Sequence, residues 1–169
     1  MTVTLMHPAA LPPDDLLAEC DETRTRRSGP GGQHRNKTET AVVLVHRPTG
    51  LSAEASERRS QAENRSVALR RLRLTLALSH RMPAAAVPSA CWASRVRDRR
   101  LVIAADHADY PALVAEALDR LEATGFEMRP AADALGVSPS QLTVLFRKAP
   151  AAWVAVNRLR SAAGLPPLR

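Results

Sequence analysis

The sequence predicts an α+β protein in two parts, a small β-sheet with packed helices followed by a mainly α-helical module. Three observations predict it. A valine-rich run, TAVVLVH over residues 40–46, leads into the turn sequence RPTG. A leucine and alanine stripe recurs at helical spacing across residues 60–80. The stretch RPAADALGVSPSQLTVLFRK, residues 129–148, reads as helix, glycine turn, helix, a helix-turn-helix-like segment.

The elements follow in order. Residues 14–22 come after a Pro-Pro pair and read as a short helix with Leu16, Leu17 and Cys20 on one side. Residues 23–27 are polar and β-tolerant, a short strand. Residues 28–37 form a glycine loop. Residues 40–46 are the clearest strand, 47–50 a turn with Pro and Gly at favoured places, and 51–55 the return strand of a hairpin. In the helix over residues 60–80, Ala68, Leu69, Leu72 and Leu76 share a face.

MPAAAVPSA, residues 82–90, has two prolines and three consecutive alanines and marks a boundary. The division expected is therefore 1–82, a linker over 83–97, and a helical module over 98–169. Within the module, RRLVIAA reads as a short strand or a buried turn of helix. Residues 110–124 are a helix with a stripe of Leu113, Val114, Ala117, Leu118 and Leu121, stopped by Gly125. Pro130 starts the next helix, Gly136 ends it, and Ser138 caps the one after. Trp92 and Trp153 read as core anchors. The closing GLPPLR is hardly helical.

The chain has 169 residues and a net charge of +7, with a sequence pI of about 10.8, which points towards polyanions. Lys37 and Lys148 are its only lysines, so the positive charge is nearly all arginine, whose planar fork suits phosphate and stacked bases. Cys20 and Cys91 form no Cys-x-x-Cys pair, so neither a disulfide framework nor a zinc site follows, and a reducing compartment is the simple reading. The start, MTVTLMHPAALPPDD, lacks a basic n-region and a long apolar run, so a cytoplasmic protein with no membrane span is expected.

SGPGGQHRNKTET, residues 28–40, puts three glycines and a proline within five residues, beside one amide and a basic patch. Gly31 and Gly32 lack Cβ atoms and reach positive φ readily, so backbone here can come close to a large ligand. The loop has neither the Gly-Lys-Ser/Thr ending of a P-loop nor the spacing of a dinucleotide site. The residues further out carry more. SGPGGQHRNKTETAVVLVHRPTGL followed by RRSQAENRSVALRRL resembles the catalytic domain of class I peptide chain release factors. In that family a Gly-Gly-Gln loop precedes Asn-Lys, a valine-rich strand, a His-x-Pro-Thr-Gly turn and an Arg-Ser-Gln-x-x-Asn helix start. The match runs over roughly residues 16–78.

The resemblance implies hydrolysis of the ester that joins a nascent peptide to tRNA, with Gly31, Gly32 and Gln33 as the catalytic residues. The Gln33 backbone N–H would stabilise the developing oxyanion, and its side chain would shape the water site. His34 adjoins Gln33 and invites a general-base role, but packing or RNA contact is the simpler reading. Arg35 and Lys37 would touch rRNA phosphates, and Arg26 and Arg27 are candidates for the same. Asn36, Thr38 and Thr40 would tie the loop to the strand or contact RNA. Arg59, Ser60, Gln61 and Asn64 would brace the fold. The implied partners are large-subunit rRNA, peptidyl-tRNA and the methyltransferase that modifies Gln33. No metal or organic cofactor is implied, and a monomer is expected.

About 27 residues precede the loop, too few for a codon-reading domain, so the resemblance is to the short, codon-independent ribosome-rescue type. One branch of that type ends in a basic tail. Here residues 84–169 carry 11 Lys and Arg against 8 Asp and Glu, scattered, which argues against such a tail. If the helix-turn-helix-like segment contacts nucleic acid, Gln141, Thr143, Arg147 and Lys148 are its candidates, with Arg158 and Arg160 adding phosphate contacts. Two other readings stay open: a ribosome- or RNA-binding module without catalysis, and a DNA-binding regulator.

Overall fold

In the computed structural model, residues 6–25 and 40–169 are described. They form two compact units, Leu11–Leu76 and the described residues up to Ala10 together with Ala77–Arg169. Both strands and helices are present, and the sheets are small and antiparallel.

The first unit opens with helix α1, Pro13–Ala18, which uses prolines at its start where their missing N–H costs nothing. Strand β1, Cys20–Thr25, follows directly. The helix expected over 14–22 is therefore only two thirds as long: its last turn and the short strand behind it are one strand. Local sequence does not separate these states, because pairing with β2 satisfies the CDETRT backbone that an isolated helix end would leave open. Strand β2, Ala41–His46, is central, flanked by β1 and by β3, Ser52–Ala55, both antiparallel to it. Val42, Leu44 and His46 are buried at the two-residue period while Val43 and Val45 are half-buried. The β2–β3 turn uses Gly50 at φ 70°.

Helix α2, Gln61–Ser79, fulfils the expected span within a residue at each end. Ala68, Leu72 and Leu76 are fully buried, and Leu69 half-buried. Arg65 reaches Glu22 of β1 at 2.7 Å, and Arg71 donates to the Glu54 carbonyl of β3 at 2.7 Å, which ties the helix across the sheet.

The second unit is helical apart from one small hairpin. It comprises α3 (Ala90–Arg95), β4 (Val96–Arg97), β5 (Arg100–Leu101), α4 (Tyr110–Ala123), α5 (Met128–Ala134), α6 (Pro139–Arg147) and α7 (Pro150–Ala162). The segment expected to be a linker, 83–97, is irregular only as far as Ser89. Beyond that it forms α3 and β4, because Trp92 needs a core. Its ring is fully buried and its Nε1–H donates to the Leu135 carbonyl at 2.8 Å. All five stripe residues of α4 are buried, and the Tyr110 hydroxyl donates to the Leu145 carbonyl at 3.0 Å.

Helix α5 starts at Met128, two residues before the Pro130 expected to open it, so the proline occupies the first turn, where it is tolerated. Gly136 at φ 68° ends α5, and the Ser138 hydroxyl accepts the Gln141 N–H at 3.2 Å to cap α6, as the sequence implies. Helix α7, not anticipated from the sequence, buries Ala152, Ala155 and Val156.

Candidate functional site

The segment that carries the Gly-Gly-Gln triplet joins β1 to β2. Thr25 is registered against Ala41, so the chain leaves and re-enters the sheet at one end. Gly31, Gly32 and Gln33, with Arg26, Arg27, His34, Arg35, Asn36, Lys37 and Thr38, lie outside the described residues. The stems that bear them are described, and they are held firmly.

Asn64 does most of that holding. Its side chain is fully buried one turn into α2. Its Nδ2 donates to the Thr40 carbonyl at 2.7 Å and to the Arg58 carbonyl at 3.0 Å, while its Oδ1 accepts the Arg58 N–H at 2.9 Å. One amide thus fixes the residue just before β2, the approach to α2, and α2 itself. The bracing role read for Asn64 is what its geometry does, and only an amide offers two donors and an acceptor in that arrangement. Thr40 is therefore tied through its backbone. Arg58 and Arg59 beside it are exposed and pair with no carboxylate among the described residues, so no bracing by Arg59 is visible.

The far end of the sheet is clamped separately. Cys20 is registered against His46, whose ring is fully buried. His46 Nε2 meets Glu19 Oε2 at 2.9 Å and its Nδ1 meets Thr49 Oγ1 at 2.8 Å. Arg47 donates to the Cys20 carbonyl at 2.8 Å, the Ala18 carbonyl at 2.5 Å and Asp21 at 3.0 Å. The His-Arg-Pro-Thr-Gly turn locks the end of α1 to the sheet. The sequence reading assigns neither His46 nor Arg47 a role; a histidine closing a run of five apolar residues was the available signal.

Among the described residues no group of three or more His, Cys, Asp or Glu side chains comes together. The Arg65 guanidinium beside Glu22 holds its carboxyl below the usual range. Burial pushes the thiols of Cys20 and Cys91 up, and Cys20 donates to the Leu16 carbonyl at 3.2 Å, so neither resembles an activated nucleophile.

In the second unit, Arg147 and Lys148 are exposed at the end of α6. Arg147 lies over the Trp153 ring, 5.1 Å from its centroid, and Trp153 is half-buried rather than a full core anchor. Gln141 and Thr143 are half-buried and bonded within the protein: Gln141 Oε1 accepts the Leu101 N–H at 3.2 Å, and Thr143 donates to the Pro139 carbonyl of its own helix at 3.0 Å. Arg160, a candidate for phosphate contact, is buried and donates to the carbonyls of Phe126 and Pro166. Arg158 is exposed.

The RF-1 domain model matches residues 12–99, from α1 through the β4–β5 turn. The chain belongs to the RF-1 domain family. Its relatives include the mitochondrial peptide chain release factor 1-like protein of Mus musculus, 49% identical over 55 residues, and the mitochondrial peptide chain release factor 1 of Homo sapiens, 55% identical over 51 residues. Peptide chain release factor 1 of Symbiobacterium thermophilum is 48% identical over 65 residues. These stretches are 32%, 30% and 38% of this chain, but only 15%, 12% and 17% of those relatives. The RF-1 domain match thus includes the whole first-unit sheet, both clamps and Asn64.

Proposed function

We propose that this RF-1 domain protein hydrolyses peptidyl-tRNA on the ribosome without reading a codon, on stalled ribosomes or on split large subunits. One observation carries the reading: the triplet Gly31-Gly32-Gln33 stands between two strand ends that are paired, Thr25 with Ala41, the second of them held at Thr40 by Asn64. A rigid base allows a glycine segment to deliver backbone donors into a crowded RNA cavity.

In this reading water adds to the ester carbonyl, the bond to the terminal ribose oxygen of the tRNA breaks, and a proton passes to that oxygen. The Gln33 backbone N–H stabilises the charge that develops. The ribosome and the tRNA supply the surroundings, and the protein contributes no base. Arg26, Arg27, His34, Arg35 and Lys37 position the segment on rRNA. Gln33 is the site at which a glutamine methyltransferase acts. The protein works as a cytoplasmic monomer.

The helix-turn-helix-like pair α5 and α6 fits docking on the ribosome better than the reading of DNA bases. Gln141 and Thr143 already spend their hydrogen bonds within the protein, which leaves α6 with less to read base edges. Arg147 and Lys148 remain for phosphate contact.

The test is peptide release from ribosomes carrying labelled peptidyl-tRNA with an empty A-site codon position, and from large subunits alone. Release by the wild type, lowered at least about 100-fold by Gly32→Ala, is expected. Release that depends on a stop codon refutes the codon-independent part, and silence on both substrates refutes the hydrolase.

A further inference from the structure

The β4–β5 hairpin presents two arginines in a way that folding does not favour. Arg97 and Arg100 are directly opposite one another across the hairpin. Like charges in that register repel, with Cβ atoms only about 5 Å apart. Both side chains are exposed, and neither has a carboxylate partner among the described residues. Among the described residues Arg97 donates only to the Val96 carbonyl, at 2.8 Å. The next pair, Val96 with Leu101, faces the other way, half-buried and buried, so the hairpin has an apolar inner face and a doubly cationic outer one.

The hairpin is also held rigidly. Asp98 and Arg99 form its turn at φ 48° and 59°, a conformation usually given to Asn-Gly. Arg99 holds this left-handed position through ties to α5 and to the α5–α6 connection. Its side chain donates to Asp133 at 2.8 Å and to the Val137 carbonyl at 3.0 Å, and its carbonyl accepts the Ser138 N–H at 3.1 Å. Leu101 N–H donates to Gln141 at 3.2 Å. The turn is thus fastened at the start of α6, and Arg147 and Lys148 lie at its other end, about 13 Å along the helix.

We infer that the Arg97–Arg100 pair is a phosphodiester-binding site of the helical unit, and that it grips the backbone of structured RNA. Two guanidinium groups on one rigid face can clasp one phosphate together or take two successive ones. The repulsion between them is relieved when an anion sits there. The contact is to backbone and not to bases, since the polar side chains of α6 nearest the hairpin are already bonded within the protein. The choice of RNA over DNA rests on the function proposed above.

The test uses the full chain, a labelled duplex RNA stem-loop and a duplex DNA of the same sequence, with anisotropy measured across a salt series. Arg97→Gln with Arg100→Gln lowers the slope of log affinity against log salt by about 1.5 and weakens RNA binding about tenfold at moderate salt. Arg97→Lys with Arg100→Lys restores the slope, because the charge is kept. The glutamine pair melts no lower than wild type, since repulsion is removed and no packing is lost. An unchanged slope in the glutamine pair, or tighter binding of wild type to DNA than to RNA, overturns the assignment. Release activity is read separately. If the glutamine pair loses RNA affinity while wild type releases no peptide, the hairpin site stands and the hydrolase falls.

Discussion

Asn64 of α2 donates to the carbonyl of Thr40, 24 positions earlier, at 2.7 Å. Thr40 is the residue immediately before β2 and the last before the sheet on the Gly-Gly-Gln side. Replacing Asn64 with Ala strands the Thr40 and Arg58 carbonyls and the Arg58 N–H. A loss of about 2–4 kcal/mol is expected in chemical unfolding of the first unit. On the function proposed above, peptide release per folded molecule is expected to fall as well. Asn64→Asp keeps the shape and the acceptor but removes both donors, so it is expected to rescue little. Release that tracks the folded fraction alone would reduce Asn64 to a stability residue.

His46 provides the contrast. It sits at the opposite end of the same strand pair, about 17 Å from Ala41 along β2. His46→Ala removes a buried ring and its bonds to Glu19 and Thr49, with an expected cost of about 2–4 kcal/mol. Because the clamp is remote from the stems, release per folded molecule is expected to stay within about twofold of wild type. Parallel measurement of the denaturation midpoint and release rate for the two variants checks the separation.

Two buried groups of the second unit respond to acid in opposite directions. Burial pulls His7 down from 6.5 to about 4, against the bond its Nε2 makes with the His80 carbonyl. Its unfolded form takes up a proton first, so its contribution is complete above about 6.5 and is lost as pH falls towards 4. Asp119 is raised from 3.8 to about 6, by burial first, although Arg81 Nη1 and the Met82 N–H both donate to it at 3.0 Å. Its contribution is complete below about 3.8 and is lost as pH rises through 6. The two trends oppose each other, so wild-type thermal melts are expected to vary little between pH 4 and 6.5. In His7→Phe only the Asp119 trend remains, and stability falls with rising pH by up to about 3 kcal/mol. Melts of both proteins across that range decide it.

Gly136 has open space where a Cβ would stand, so Gly136→Ala meets no clash. Its φ of 68° is the cost, about 1–2 kcal/mol for an L side chain. Gly136→Asn is expected to lose less than Gly136→Ala, since Asn tolerates the left-handed region better. Equal losses in urea titrations would point to a disturbance of the α5–α6 connection rather than backbone strain.

The sequence by itself determined the elements whose signal is local. β2 follows from its run of valines, the β2–β3 turn from Pro-Thr-Gly, α2 and α4 from their stripes, and the end of α5 and the cap of α6 from Gly136 and Ser138. Each depends on backbone propensity or periodicity within a few residues. The Gly-Gly-Gln triplet and the motifs around it were equally legible, because a motif is a property of order along the chain.

Only the tertiary structure decided the rest, because the deciding partner is distant in sequence. Residues 20–22 are not helix because β2 offers them hydrogen bonds. Ala90–Arg97 is not a linker because Trp92 finds Leu135, 43 positions on. Arg160 looks like a surface cation until Phe126 and Pro166 close over it. Asn64 reads from the sequence as a bracing residue, but that it braces Thr40 and Arg58 is decided only where the fold brings them beside it. A buried polar group must find partners wherever the fold places them, and no local pattern announces where that will be.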